Sequence, residues 1–346
     1  MSGIVFEDFT NKNAKILYET IWQNNVFVNG CNTITKAPVG NGRASDNSYV
    51  FDSDGDKATT LINVFGIAEP ELFLRKFKMA CGGSGQEYRR ITTLHSSSLC
   101  ALLFFYNVTE KNPLKLELDA QEYLFTESFF EFKSPVINSP SNMDVVLKGI
   151  HIASGKETIL FLESKFSEYY SAVSNRLAHI SEGYLDNTYS KSFYQGIFWE
   201  YLHNTKIVPD TDGFVSLKSE QKYYIGGIKQ MISHYTGIRN LLDGNFFNAA
   251  KTAEQATIEF AIQNGTNVIL AEILFDDRLG HLKMDSGQTY LDSYANMYVK
   301  FADKAMTEIS MAGLNSRFTV AIKELGYSLF KNNSHTVEDR ILQFYF

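Results

Sequence analysis

The chain has 346 residues, 44% of them apolar and 21% charged, with a formal net charge of −7 at pH 7. This composition excludes an intrinsically disordered chain, which lacks the apolar surface to build a core. The acidic balance argues against bulk, histone-like affinity for nucleic acid, yet suits an enzyme that holds a cation between carboxylates.

The 27 Phe and 19 Tyr favour strands and deep packing, so a mixed α/β protein is expected. The opening segment MSGIVFEDFTNKNAKILYET lacks a charged-then-apolar signal pattern. No run approaches the roughly 18 apolar residues of a membrane span, and a cytoplasmic protein without membrane contact is expected. Cys31, Cys81 and Cys100 are odd in number with no C-x-x-C spacing, which suggests buried or neutral thiols rather than disulfides or a zinc site.

In chain order, residues 1–85 read as a helical start followed by NGCNTITKAPVGNGRASDNSYVFDSDGDK, expected as a loop or irregular cap. PELFLRKFKMAC predicts a helix, GGSG a break, and LHSSSLCALLFFYNV a helix capped by its serines. The period then changes. YLFTESFFEF, NMDVVLKGIHI and ETILFLESKF predict three strands, separated by the turn signals SPVINSPS and ASGK. Residues 166–221 are expected to be helical and Tyr-rich, and KYYIGGIKQMISHYTGIRNLL predicts a helix. TNVILAEILFDD predicts a buried strand. DSYANMYVKFADKAMTEISMAGL predicts an amphipathic helix with Tyr294, Met297, Tyr298, Phe301, Ala305 and Ile309 on one face. The sum is helix, three strands, helix, strand, with an N-terminal extension (1–85) packed on the remainder (86–346) as one globular unit.

Strand alternation places Glu163 and Lys165 on one face of ETILFLESKF, with Ser164 on the other. Such a pair on an exposed strand is an ordinary solvated face. Here it ends the run TILFL, whose unbroken apolar character suits an inner strand. Asp144 begins the apolar part of the preceding strand, so neighbouring pairing would bring it to Glu163. Mg²⁺ takes one or two protein carboxylates and fills its octahedron with other oxygens. Asp144 and Glu163 supply the carboxylates, the Ser164 carbonyl a further oxygen, and Lys165 a group to orient or deprotonate water.

Asp144 with Glu163-Ser164-Lys165, in this strand–turn–strand setting, resembles the PD-(D/E)XK nuclease superfamily. The resemblance spans about residues 90 to 275, and SPSNMDVVLKG with ILFLESKFSEY resembles bacterial restriction-endonuclease-like members. It implies an α/β restriction-endonuclease-like core of helix, three strands, helix and strand, with C-terminal helices beyond. It further implies Mg²⁺-dependent hydrolysis of DNA phosphodiester bonds, with Mn²⁺ as a substitute, in restriction or defence, and a homodimer is compatible. The family places proline directly before the aspartate, whereas Pro140 lies four residues before Asp144. Some branches carry a Q-x-x-x-Y helix pattern that contacts the site. Gln230 matches its glutamine, and His234 stands in place of the tyrosine. The alternative for Gln230 is a polar residue on an exposed helix face. Glu131 is either a further acid near the metal or the outward member of an alternating strand. Two other readings stay open: a nuclease-fold module that binds nucleic acid or protein without turnover, and an unrelated α/β protein in which Glu163 and Lys165 merely pair.

Other signals carry less. The stretch from Asp52 to Asp56 fails the EF-hand pattern because Asn63 stands at the twelfth position. Gly82-Gly83-Ser84-Gly85 fails the nucleophile elbow because Gln86 replaces the last glycine. Cys100 near His95 lies in an apolar helical run, where an inert thiol is expected. Arg75, Lys76, Lys78, Arg89 and Arg90 read as a solvated basic face that could also meet phosphate.

Overall fold

The computed structural model describes residues 17–22, 34–38, 47–51, 56–82, 86–136, 140–166, 178–181, 187–195, 206–209, 214–218, 225–246, 251–283 and 287–346. The helices are α1 (Lys57–Phe65), α2 (Pro70–Ala80), α3 (Gln86–Arg90), α4 (Ser97–Phe105), α5 (Lys191–Gln195), α6 (Ile225–Leu242), α7 (Ala253–Gln263), α8 (Tyr290–Met311) and α9 (Asp339–Tyr345). The main sheet is built from β3 (Leu114–Leu118), β4 (Gln121–Pro135), β5 (Pro140–His151), β6 (Glu157–Lys165), β10 (Asn267–Leu274), β11 (Phe318–Val320) and β12 (Leu325–Gly326). Smaller sheets join β1 (Ile34–Pro38) with β2 (Asn47–Phe51), and β7 (Ala178–Ser181) with β9 (Phe214–Lys218) and β8 (Lys206–Pro209).

β3, β4, β5 and β6 form an antiparallel meander. β10 then adds parallel to β6, and β11 and β12 pair parallel to β10. This makes a mixed α/β sheet with β6 in its interior, and every β6 residue after Glu157 is buried. Burial on both faces is what the unbroken apolar run TILFL specifies. Alternation along β6 divides its end between two layers: the Ser164 hydroxyl meets the Ser97 carbonyl of α4, while Glu163 meets His234 of α6. Helices therefore cover opposite faces at the same point.

The expected helices and strands in the segments named above are present. α4 is apolar all round and buried, capped by the Ser96 hydroxyl, which accepts from the Leu99 amide at 3.1 Å. α8 buries the stripe Tyr294, Met297, Tyr298, Phe301, Ala305 and Ile309. Two expectations need correction. The turn-rich stretch before residue 56 contains the antiparallel pair β1–β2, whose Phe51 packs on Phe65 and Phe344. The segment 166–221, expected to be helical, carries β7, β8 and β9 beside the short α5. Buried apolar residues from Leu17 to Tyr345 form one continuous core. Asp56 is the N-cap of α1 rather than part of a calcium loop, while positions 52–55 and Cys31 lie outside the described residues. Cys81 and Cys100 are buried free thiols, and burial pushes the Cys81 thiol up to about 12.

Two backbone positions lead to stability predictions. The β3–β4 hairpin closes through Asp119 and Ala120, at φ of 48° and 61°. This left-handed pair suits Asp-Gly better than Asp-Ala. Ala120→Gly is expected to raise the unfolding free energy by about 0.5–1 kcal/mol in urea titration. A lowered midpoint would show that the turn holds no such strain. At Gly149 an added Cβ would sit 2.1 Å from the Leu124 carbonyl oxygen. Gly149→Ala is expected to lower stability by about 1–3 kcal/mol.

Candidate active site

The register of the sheet assembles the site. Val145 pairs with Leu162, so Asp144 lies across from Glu163 at the next position of the β5–β6 ladder. Phe130 pairs with Val145 and Phe132 with Met143, which puts Glu131 across from Asp144. On the other side Glu163 pairs in register with Glu272 of β10. Four adjacent strands thus carry one acid each at neighbouring positions, although the left-handed backbone of Glu131 interrupts the alternation and turns its carboxylate toward Gly82.

Glu163 sits at the middle of this row and is 1% exposed. Lys165, 3% exposed, donates to its Oε1. His234, 1% exposed, lies 2.7 Å from its Oε2. Burial raises the Glu163 carboxyl, but the adjacent Lys165 and His234 outweigh it and hold the acid below its ordinary value. Glu163 is therefore an ionised group in the protein interior, which is tolerable only because both oxygens are bonded.

The other acids respond in the opposite direction. Asp144 is half-buried, and its Oδ2 accepts the Ser164 amide at 2.8 Å. Burial, then the Glu163 charge, raises it well above the usual carboxylate range. Burial, Glu87 and Glu163 push Glu131 up to about 8. Glu131 also adopts a left-handed backbone, φ 53°, rarely taken by a side chain of this kind. Glu272 is fully buried and accepts from the Tyr294 hydroxyl at 2.7 Å to each oxygen. Burial pushes it up to about 8 against the opposing pull of Lys165 and Tyr294.

Asp144, Glu163 and Lys165 are thus brought together as the sequence implied, and Ser164 is tied to Asp144 through its amide. Gln230 is not brought in: it is exposed, one helical turn before His234, and the side chain that α6 sends to Glu163 is His234. His234 is buried together with Ile228, Met231, Ile232 and Tyr235, but so is every residue from Met231 to Arg239, and local periodicity does not single it out. Gly237 allows the approach, because a Cβ there would sit 2.2 Å from the Ser134 hydroxyl. Sequence pattern gives Glu272 only as a strand residue and Tyr294 only as a core ring, whereas the structure joins them as a polar pair. Lys76 of the basic cluster donates to the Ser128 carbonyl and lies over the Phe129 ring at 5.5 Å, so it is committed to β4 rather than to a solvated face.

Among the described residues, no group of three or more His, Cys, Asp and Glu side chains is spaced to hold a metal ion. Mg²⁺ needs only one or two protein carboxylates. The neighbouring pair Asp144 and Glu163 supplies that number, and the Glu163 charge that, after burial, raises the Asp144 carboxyl is a repulsion a divalent cation would relieve. No protein-family model matches the chain, and neither a curated protein nor a solved structure matches it. No helix among the described residues is long and apolar enough to cross a membrane.

The raised acids set a pH dependence. Glu131 and Glu272, with ordinary values of 4.5, reach about 8 in the fold, so the folded state binds more protons between those limits. Their contribution is fully present below about 4.5 and is lost as pH rises through about 8. The unfolding free energy is expected to fall between pH 6 and pH 9 in urea titrations, and Glu272→Gln to flatten that slope. An equal slope in the variant would remove Glu272 from the account.

Proposed function

We propose that the chain is a divalent-cation-dependent nuclease that hydrolyses DNA phosphodiester bonds, on a core of the PD-(D/E)XK, restriction-endonuclease-like kind. The observation that carries the reading is the placement of Asp144 across from Glu163, with Lys165 beside them on the same face. Part of the element order supports it: α4, the strands β4 to β6 of the four-stranded antiparallel meander, α6, and β10 parallel to β6, with β3, β7 to β9, α5 and α7 as additions. Foreign-DNA restriction or defence is the setting this chemistry suits.

Asp144 and Glu163 would hold Mg²⁺, or Mn²⁺ in its place, with the Ser164 carbonyl available as a further oxygen. When bound, the cation lowers the pKa of water and offsets negative charge on the phosphoryl oxygens. Lys165 orients the attacking water and steadies the charge that develops. Lysine suits this position because it can release its proton, as arginine does not. Glu131, electrostatically linked to both Asp144 and Glu163, adds an acid at the rim of the same row.

A second reading is a module of the same fold that binds nucleic acid or protein without turnover. The observation in its favour is that both Glu163 oxygens are already occupied, by Lys165 and His234. Metal titration separates the two, since a binding-only descendant has no Mn²⁺ site that depends on Asp144 and Glu163.

Supercoiled, linear and single-stranded DNA, and RNA, incubated with Mg²⁺ or Mn²⁺ provide the test. Cleavage of DNA is expected, with Lys165→Ala, Asp144→Asn and Glu163→Gln each slowing it on the order of 100-fold or more. Gln230→Ala is expected to stay within about two-fold, as for an exposed residue. Absence of cleavage of every substrate, or a Lys165→Ala protein as fast as wild type, would overturn the reading.

A further inference from the structure

We propose that His234 is the positioning residue for Glu163, acting with Ser141 to fix the carboxylate that faces Asp144. This rests on the reading above and names the side chain that makes its geometry possible. An ionised carboxylate has no hydrogen to give, so His234 Nε2 donates to Glu163 Oε2 across 2.7 Å. Nδ1 lies 2.7 Å from the Ser141 hydroxyl, which donates to it when the ring is neutral and accepts from it when the ring is an imidazolium. Ser141 is held in turn, because its carbonyl accepts from the Ser134 hydroxyl at 3.3 Å and the two residues pair across β4 and β5.

The chain of bonds runs from β4 through β5 and α6 to β6, and each member is buried. Because the ring is buried and bonded at both nitrogens, one orientation satisfies the two of them together. Glu163 is thereby gripped at two oxygens by groups of different kinds. Lys165, on the same strand, would have to leave Oε1 to act on a phosphate or a water, and its ammonium ends a flexible stem. His234, clamped at both ends on another element, keeps Oε2 in place when it does. Outer groups that orient a metal-binding carboxylate typically govern affinity and turnover by 10- to 100-fold.

The test pairs two substitutions of similar size. In His234→Gln the amide nitrogen reaches toward Glu163 as Nε2 does. In His234→Asn the shorter amide reaches only as far as Nδ1, toward Ser141. Mn²⁺ binding is measured by calorimetry and DNA cleavage by steady-state kinetics, with circular dichroism melts confirming that each variant folds. His234→Asn is expected to weaken Mn²⁺ binding and lower kcat by about 10- to 100-fold with KM for DNA unchanged, and His234→Gln to restore most of both. The assignment is overturned if folded His234→Asn matches wild type, or if folded His234→Gln is as impaired as His234→Asn. Glu163→Gln in the same titration separates the two levels. A wild-type Mn²⁺ site lost in Glu163→Gln but indifferent to both His234 variants sinks the role of His234 alone, whereas a wild-type protein with no Glu163-dependent site sinks the metal reading and this assignment with it.

Discussion

An ionised carboxylate without contact to water is the constraint around which this molecule is arranged. Glu163 lies on an interior strand between two helical layers, where an unpaired charge would cost several kcal/mol. Lys165 from its own strand and His234 from α6 meet that cost. The remaining acids of the row then divide according to what is left: Asp144 takes the Ser164 amide, Glu272 takes Tyr294, and Glu131 keeps a proton near neutral pH. Four like groups on neighbouring strands cannot all ionise, and the fold resolves them into one charged member and three whose protons are held more tightly.

That division also explains why the site is closed as it stands. Burial is the largest upward influence on Glu131, Asp144 and Glu272, so for these three tighter proton binding follows from low solvent access. A cation arriving between Asp144 and Glu163 would compete with a proton that the first binds more tightly than an ordinary carboxylate and with Lys165 on the second. Binding by such a site weakens as pH falls, because the ligands must lose protons to serve.

The central strands and α4, α6 and α8 were legible because their burial follows simple periods. β6 and β10 show as continuous apolar runs, and α8 as a single stripe. Asp144 and Glu163 could be placed together because an antiparallel neighbour is the simplest consequence of a short turn, ASGK, between two strands. The β1–β2 pair was not legible, since two five-residue strands sit among Gly, Asn and Asp, whose turn preference dominates any local reading. Gln230 and His234 show a different limit. Both lie on one side of the same helix, a turn apart, and which of them reaches the sheet depends on the depth at which α6 sits, set by Gly237 against Ser134. The alignment of Glu272 with Glu163 depends on a parallel pairing between segments about a hundred residues apart, which no local pattern encodes.

The aromatic triangle of Phe51, Phe65 and Phe344 bears on how the chain reaches this state. Its rings lie with centroids 5.4 to 5.6 Å apart, although one belongs near the beginning of the chain and one near its end. During synthesis Phe51 and Phe65 emerge long before Phe344, so that corner waits with apolar surface uncovered until the later segment has followed. Such long-range closure slows folding and lengthens exposure to aggregation. Growth at reduced temperature, or with holdase chaperones in excess, should therefore improve recovery of this protein more than that of a chain whose partners lie close together in sequence.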